Sequence, residues 1–349
     1  MRALASALLA ATLGGVLAGA ASPAPQAAAD PFAFFKPEVT LTTDERRAVD
    51  RGQARSRILS HGPREVAVFG VTAIHIDADR LVAWVRRIER MKESPATLAV
   101  GRFSDPPRVE DLERLTLDDD EMWDVQQCRH GDCNLKLSAE EMKRLQREVA
   151  GPTAQWRPRM QHAFRQIVLE RVLAYQARGL AGLPKYEDKS PSRLTTDAFN
   201  VVFEQSRSLR TGLPQFASAL QGPPPMPPGV ESVYYWAKER MSSKPVISAT
   251  HVSIVRPGSP GAPAVVVVGK QLFATHYFSG SISVTALLRG APGGHNYLVY
   301  LNRSEVDVIG GVFGGVTRML IQRRVRGEAA ELLEGLRKRL EAGEPKGIQ

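Results

Sequence analysis

Four β-rich segments joined by short, turn-forming connections dominate the C-terminal part of the chain. The segments cover 246–256, 264–277, 279–289 and 296–308, and the connections include PGSPGAP and APGGH. A parallel pair of strands needs a crossover of about a dozen residues or more, whereas antiparallel neighbours can be joined by a tight turn. This region therefore predicts an antiparallel meander, and any fold of the chain has to contain that sheet.

Two further strands and a helix are predicted before the meander. Residues 65–76 (EVAVFGVTAIHI) alternate apolar with small or polar side chains and are rich in β-branched residues, as is typical of a strand. Asp77 and Asp79 then cap a helix, RLVAWVRRIERM, whose apolar residues recur at helical spacing. Residues 96–103 predict the next strand, which ends at two prolines.

The pattern between about 108 and 245 is helical, with polar and proline-rich loops. Ser138 and Glu141 form a capping-box pattern at the start of a helix to Val149, and 157–178 predict the clearest long helix here. The segment QGPPPMPPGV (221–230) predicts a loop, because each proline removes an amide donor and fixes φ.

A long amphipathic helix from about 317 to 341 is predicted to close the chain. We expect Leu332 or Leu336 to be buried against the 246–308 sheet. Two glycine pairs before the helix lack the Gly-Lys-Ser/Thr ending of a phosphate loop, so they favour a tight bend instead. The apolar stripe consists of Ile321, Val325, Ala329, Leu332, Leu336 and Leu340.

Residues 1–29 have the pattern of a cleaved secretory signal peptide. Arg2 precedes an uncharged Ala/Leu-rich run, and small residues at 18–20 and at 27–29 fit a signal-peptidase site. An uncleaved N-terminal anchor is the alternative. Residues 30–64 predict a linker and a short helix that begins at Thr42 and runs to about Leu59. The Ala, Arg and Pro bias is typical of a GC-rich bacterium, so we expect a periplasmic or secreted protein.

The order of these elements resembles the START-like or helix-grip superfamily, which includes polyketide cyclases and lipid-transfer proteins. Two blocks carry the resemblance: EVAVFGVTAIHIDADRLVAWVRRIERM, and the chain end HNYLVYLNRSEVDVIGGVFGGVTRMLIQRRVRGEAAELLEGLRKRLE. The segments CRHGDCNLKLS, KPVISATHVSI and KQLFATHYFSGS also resemble a family of exported bacterial proteins, and that likeness implies no activity.

The START-like resemblance implies an α+β fold in which a curved antiparallel sheet grips a long C-terminal helix around an apolar cavity. Residues 65–107 and 246–341 would form this domain. The helical stretch 108–245 would be a large insertion, and 342–349 a tail.

Cys128 and Cys133 frame CRHGDC and are the two cysteines of the chain. In an exported protein they predict one structural disulfide that fixes a local loop. The spacing does not fit a redox Cys-x-x-Cys or a haem-attachment motif. The alternative, in which His130 and Asp132 join them as metal ligands, requires four ligands from a very tight loop.

Five side chains are candidates for ligand binding: His251, Lys270, His276, Tyr277 and Arg303. Strand alternation places His276 with Lys270, and if these faces line the cavity the imidazoles, the amine and the phenol could bind a polar headgroup or transfer protons. The alternative is that each histidine makes one hydrogen bond within the sheet. Arg303 could clamp an anion in the cavity.

Arg303 shares its strand face with Glu305 and Asp307, two residues apart. Alternating charges on one face are more typical of a solvated, mutually compensated surface than of a clamp, and the surface interpretation is the one we prefer.

The sequence favours binding over catalysis without deciding between them. It contains no Gly-x-Ser-x-Gly elbow, no HExxH and no acidic metal loop, so we expect no cofactor and no metal. The first hypothesis is an exported protein that binds an apolar small molecule or lipid between sheet and helix. The alternatives are an enzyme of the same fold using His276, Lys270 or His251, and a structural envelope-interaction protein.

The net charge of the chain gives little information about its binding partners. The chain has 46 basic and 37 acidic residues, a formal charge of +9, and 43% hydrophobic residues, which is ordinary for a folded domain. An anionic membrane surface is the alternative partner for the basic residues near the C-terminus. Nucleic acid is not expected, because an exported protein rarely meets it. The sequence does not indicate an oligomeric state.

Overall fold

The computed structural model describes residues 30–59, 64–150, 155–241, 244–307 and 329–343. In this part of the chain eight strands form one sheet. They are β1 (Arg55–Ile58), β2 (Glu65–Ile74), β3 (Thr97–Arg102), β4 (Glu231–Met241), β5 (Lys244–Val255), β6 (Val265–Ala274), β7 (Phe278–Leu288) and β8 (Asn296–Val306).

The sheet is antiparallel throughout, in the order β1-β2-β8-β7-β6-β5-β4-β3. The predicted meander is confirmed, because β5 to β8 pair in sequence through short connections. The first long strand, β2, lies beside the last, β8, with Val71 opposite Val299. Since β3 lies at the other edge beside β4, the chain between β2 and β3 has to cross the sheet.

Two strands were missed by the sequence prediction. β4 lies within the stretch predicted to be mainly helical, and β1 lies where the first short helix was expected to continue. β4 is difficult to recognise because Lys238 points into the protein. Its Nζ is 2.5 Å from Asp118 Oδ1 and 3.3 Å from Glu121 Oε2, so carboxylates from another element make burial of the amine tolerable.

Two of the helices begin at capping boxes that the sequence predicts. Glu45 N donates to Thr42 Oγ1 at 3.2 Å and Thr42 N to Glu45 Oε2 at 2.8 Å, which is a complete capping box. Ser138 and Glu141 repeat it, as predicted. The helices are α1 (Thr43–Asp50), α2 (Ala78–Arg86), α3 (Ile88–Met91), α4 (Asp119–Gln127), α5 (Ala139–Val149), α6 (Trp156–Arg178), α7 (Thr195–Gln205), α8 (Arg207–Gly212), α9 (Pro214–Gln221) and a C-terminal helix at 329–341.

The sheet lies between two helical layers. Helices α4 to α7 and α9 cover one side, which we call the block face, where residues such as Phe164 and Val268 belong to the main core. The other side, which we call the groove face, carries a second apolar cluster that includes Leu81 of α2 and Leu333 of the C-terminal helix. Each strand therefore directs alternate residues into two different environments.

The prediction of a long C-terminal helix is not supported, because the described helix spans 329–341 and is short. The rest of the predicted helix, 317–328, lies outside the described residues. Leu332 is 59% exposed and Leu336 partly buried, whereas Leu333 is 5% exposed. A Cβ at Gly70 would lie 3.2 Å from Leu333 Cδ2, so the glycine in β2 lets this helix lie close to the sheet.

The predicted linker at the start of the described chain packs into the protein. Phe32, Phe35 and Val39 belong to the core beneath the block face. The predicted signal peptide, 1–29, lies outside the described residues. Within the described ranges, every helix is too short or too polar to cross a membrane.

Candidate functional site

The two faces of the central strands differ sharply. On the block face Ala249, Val268, Val284 and Leu301 are almost completely buried. On the groove face the same strands carry small polar side chains in register: Gly269 lies opposite Ser283, which lies opposite Asn302. An adjoining row runs from Tyr235 through Thr250 to Gln271. Small residues in the middle of a sheet leave a concave floor.

Solvent reaches this floor. Thr250, Gln271, Ser281, Ser283 and Asn302 are all half-buried, although they lie on central strands with helices on both sides of the sheet. Central positions in a filled layer are normally sealed, as they are on the opposite face. We therefore identify the groove face as the candidate functional site.

Hydrogen bonds fix the orientation of several floor residues. The hydroxyls of Ser281 and Ser304 lie 2.9 Å apart. Asn302 Nδ2 donates to Ser281 Oγ at 3.1 Å, and Ser304 Oγ donates to Asn302 Oδ1 at 2.9 Å. Hydroxyl and amide groups both donate and accept, so this floor can pair with either kind of polar group.

Larger side chains form the two walls. Lys92, which follows α3, places Nζ 2.8 Å from Glu239 Oε1 and 5.9 Å from the centre of the Tyr235 ring. Tyr300 of β8 lies on the other wall. The pKa of Tyr300 is raised to about 12, and burial is the main cause. The charge of Lys92 lowers this pKa, whereas Tyr235 and Glu239 raise it further.

The C-terminal helix links the two walls, although β5, β6 and β7 separate β4 from β8 in the sheet. Its Leu333 lies against Gly70, which is opposite Tyr300. Its Arg339 donates to the backbone carbonyl of Glu93, next to Lys92. For Lys92, burial opposes the charged form, but Tyr235 and Glu239 outweigh it and raise the pKa, so the amine stays protonated.

Polarity changes in the same direction along all four central strands. On the groove face, Thr250 is followed by Val252 and Ile254 in β5, and Ser283 and Thr285 by Leu287 in β7. β6 and β8 run in the opposite direction, so the order along the chain is reversed. In β6, Val265 and Val267 come before Gly269. In β8, Leu298 comes before Tyr300 and Asn302. The groove is therefore apolar toward α2 and the C-terminal helix, and polar at its centre.

His251 lies on the block face, away from the groove. Its Nδ1 is 2.9 Å from the Tyr175 hydroxyl, its Nε2 is 2.9 Å from Ser232 Oγ, and its ring stacks on Tyr234 with centres 4.5 Å apart. Burial, assisted by the nearby charge of Lys270, lowers its pKa to about 3. His251 is thus a neutral imidazole with a partner on each nitrogen.

Lys270 is on the same face and is completely buried. Its Nζ donates to the backbone carbonyl of Leu220 at the end of α9. The amine also lies 4.7 Å and 5.1 Å from the ring centres of Tyr175 and Phe199. Burial lowers its pKa to about 7. Lys270 lies opposite His251 in the sheet, beneath α6 and α9 and not opposite the C-terminal helix.

His276 and Tyr277 lie in the turn after β6, which ends at Ala274, so strand alternation does not extend to them. The Nδ1 atom of His276 is 2.9 Å from the Asn134 carbonyl oxygen, and its Nε2 is 3.5 Å from Glu121 Oε1. Tyr277 has a φ of 63° and packs against the small apolar cluster at the far end of the groove face. Of the five predicted ligand-binding residues, Tyr277 is the one that lies beside the groove face.

Arg303 is 1% exposed and lies in an ion-pair cluster. Its Nη2 is 2.7 Å from Glu38 Oε1, and its Nη1 contacts Glu65. Glu305, 3% exposed, is 2.9 Å from Arg193. The interpretation of these charges as a solvated surface was wrong, because the strand face that carries them is the block face. The guanidinium is already neutralised by carboxylates, so it is not placed to clamp a ligand in the groove.

The predicted cysteine pair is confirmed at disulfide distance. Cys128 and Cys133 have Cα atoms 4.4 Å apart, and the Cys133 amide donates to the Asp188 carbonyl at 3.0 Å. The loop is thereby fastened to the segment after α6. His130, 65% exposed, is 3.4 Å from Glu187, and no group of metal-ligating side chains was found among the described residues.

Sequence reasoning missed Lys92, Tyr235, Glu239 and Tyr300. Two of them lie on β4, which was not recognised as a strand, so their face could not be assigned. A signal was present in β7, where Ser281, Ser283 and Thr285 alternate with Ile282 and Val284. A strand in mid-sheet with hydroxyls on one face and apolar residues on the other indicates that the hydroxyl face is not packed core.

Comparison with known proteins adds little. No protein-family model matches the sequence, and no curated protein matches it. The crystal structure of TTHA0849 from Thermus thermophilus aligns with 15% sequence identity and a TM-score of 0.25, over 40% of this chain and 88% of that chain. A TM-score this low does not establish a shared fold.

Proposed function

We propose that this chain is an exported protein that binds an apolar small molecule or lipid on the groove face, between the sheet and the C-terminal helix. One observation carries the proposal: the central strands are sealed on the block face, whereas the polar floor residues on the groove face, such as Ser281, Ser283 and Asn302, are only half-buried. The accessible floor adjoins an apolar cluster that contains Leu287, Leu298 and Leu333. Apolar surface beside a few convergent polar groups is the usual character of a small-molecule site.

The proposal includes the START-like relationship. The elements come in the order on which that resemblance was based: strand β2, helices α2 and α3, strand β3, a meander and a final helix. The helices between β3 and β4 would be an insertion on the far side of the sheet. Periplasmic or secreted localisation is supported by the signal-like residues 1–29 and by the cysteine pair, since disulfides persist in oxidising compartments.

Binding can be tested with N-phenyl-1-naphthylamine, an uncharged probe whose fluorescence rises in apolar sites. We expect saturable binding to the purified mature protein. Ser283→Trp, which fills the floor, should abolish it, whereas Ser259→Trp in an exposed loop should not. Native mass spectrometry would identify any lipid that co-purifies. Equal binding by both variants would contradict the proposed location.

An enzyme of the same fold is the second candidate, and one observation favours it. Lys92, Glu239, Tyr235 and Tyr300 bring an amine, a carboxylate and two phenols together from three elements, and groups of this kind can transfer protons. This assignment replaces His251 and Lys270, which lie on the other face. A bound ligand recovered with altered mass would favour the enzyme. A protein that binds neither probe nor lipid would favour the third hypothesis, a structural envelope-interaction protein.

A further inference from the structure

We propose that the polar part of the groove is a subsite for an uncharged oxygen, a hydroxyl or a carbonyl, on an otherwise apolar ligand. The inference rests on the proposed function and specifies the ligand class: long-chain alcohols, esters or ketones in preference to free fatty acids and phosphates. The subsite is formed by Tyr300 and Asn302 on β8, Tyr235 and Glu239 on β4, and Lys92.

The charges of this subsite cancel locally. Lys92 and Glu239 are 2.8 Å apart, and their side chains are 27% and 16% exposed. A carboxylate or phosphate bound to Lys92 would have to displace Glu239 or lie beside it, and separating either charge from its partner in a partly buried site is costly. A neutral oxygen can hydrogen-bond there without breaking the pair.

The two tyrosines supply the matching groups. The pKa of Tyr300 is raised to about 12, chiefly by burial, so its phenol keeps its proton at physiological pH. A neutral phenol donates one hydrogen bond and accepts another, which suits both a carbonyl and a hydroxyl. Tyr235 lies opposite Thr250, so its ring rises beside the hydroxyl-lined floor.

The polarity gradient sets the direction in which the ligand lies. In β8 the groove face runs from Asn302 and Tyr300 to Leu298, and in β7 it runs from Ser283 to Leu287. A ligand with its oxygen between the tyrosines would extend its hydrocarbon part over these leucines toward Leu333 of the C-terminal helix. Reversing it would place a chain of methylenes on hydroxyls and leave the apolar end uncovered, which loses burial of apolar surface.

The test compares two ligands that differ at one end. 1-Decanol and decanoate, at pH 8, compete with bound N-phenyl-1-naphthylamine. We expect decanol to displace the probe at lower concentration than decanoate. Tyr300→Phe and Tyr235→Phe should each weaken decanol binding by roughly 3- to 10-fold relative to probe binding by the same variant, the equivalent of one hydrogen bond.

Tyr234→Phe is the matched control. It makes the same chemical change at the neighbouring position of β4, where the ring stacks on His251 on the block face. This variant should bind decanol like the parent. Urea midpoints of all three variants show whether each is folded, and either groove tyrosine suffices for the test if the other variant is unstable.

The outcomes separate the two proposals. If the probe binds but decanoate competes as well as decanol, or if neither groove variant changes decanol affinity, the subsite is wrong and the proposed function stands. If the parent binds neither the probe nor decanol, both are wrong. If Tyr234→Phe weakened decanol binding as much as Tyr300→Phe does, that result would also refute the subsite.

Discussion

Replacing the buried lysine of the block face should stabilise the protein, and by an amount that depends on pH. Lys270 is completely buried, and its amine contacts a backbone carbonyl and two aromatic rings. Burial lowers its pKa from 10.5 to about 7. Between these two pH values the unfolded chain holds a proton that the folded protein releases, so the free energy of unfolding rises with pH across that window.

The magnitude follows from the size of the shift. Each unit of difference between the folded and unfolded pKa values is equivalent to about 1.36 kcal/mol. The lowered pKa of Lys270 therefore makes the protein about 5 kcal/mol less stable at pH 7 and below than at pH above 10.5. Lys270→Met keeps most of the side-chain volume and removes this penalty. It also leaves the Leu220 carbonyl without its donor, which costs about 1 kcal/mol.

We therefore expect Lys270→Met to exceed the parent in stability by several kcal/mol at pH 6 to 7 and to match it near pH 10. Urea unfolding followed by tryptophan fluorescence at five pH values between 6 and 10 measures this. Lys143→Met, at an exposed position on α5, is the control and should leave the pH profile unchanged. A stability difference between parent and Lys270→Met that does not vary with pH would refute the reasoning.

Four further predictions concern packing, ion pairs, the disulfide and acid stability. Leu333→Ala should lower the free energy of unfolding by about 2–5 kcal/mol, whereas Leu332→Ala, at a side chain that is 59% exposed, should change it by less than about 0.5 kcal/mol in urea titrations. Arg303→Ala should cost about 3–5 kcal/mol in the same assay, because it removes the guanidinium that neutralises the buried carboxylates of Glu38 and Glu65. Cys128→Ser should cost about 2 kcal/mol, since the closed loop is short, and a reductant should then no longer shift the urea midpoint. Stability should fall as pH drops from 6.5 toward 3, because the unfolded chain protonates His251 and the folded protein does not, and His251→Gln should flatten this acid limb.

The meander was determined by local sequence. Alternating β-branched residues and turn-forming connections specify strands and antiparallel neighbours within short stretches of chain, and the structure confirms all four of these strands. The capping boxes at Thr42 and Ser138 were predictable for the same reason, since each involves residues three positions apart. The cysteine pair, five positions apart, is similarly local.

Tertiary structure decided which of the two helical layers covers each face of a strand. Alternation places Lys270, His251 and Arg303 on definite faces, but the helices that cover those faces lie far away in the sequence. Arg303 resembled a surface residue because its partner Glu38 comes from a segment predicted to be a linker. A charged residue can be buried only if distant groups compensate it, and no local pattern reports those groups.

The candidate groove depends most strongly on the assembled fold. Lys92, Glu239 and Tyr300 belong to a loop and two strands that are distant in the chain, and only the assembled fold places them along the same groove. The residues of the floor were visible in the sequence as alternating serines in β7. Their accessibility was not, because it depends on how far the helices above the sheet extend, and that is set by packing across elements and not by the strand itself.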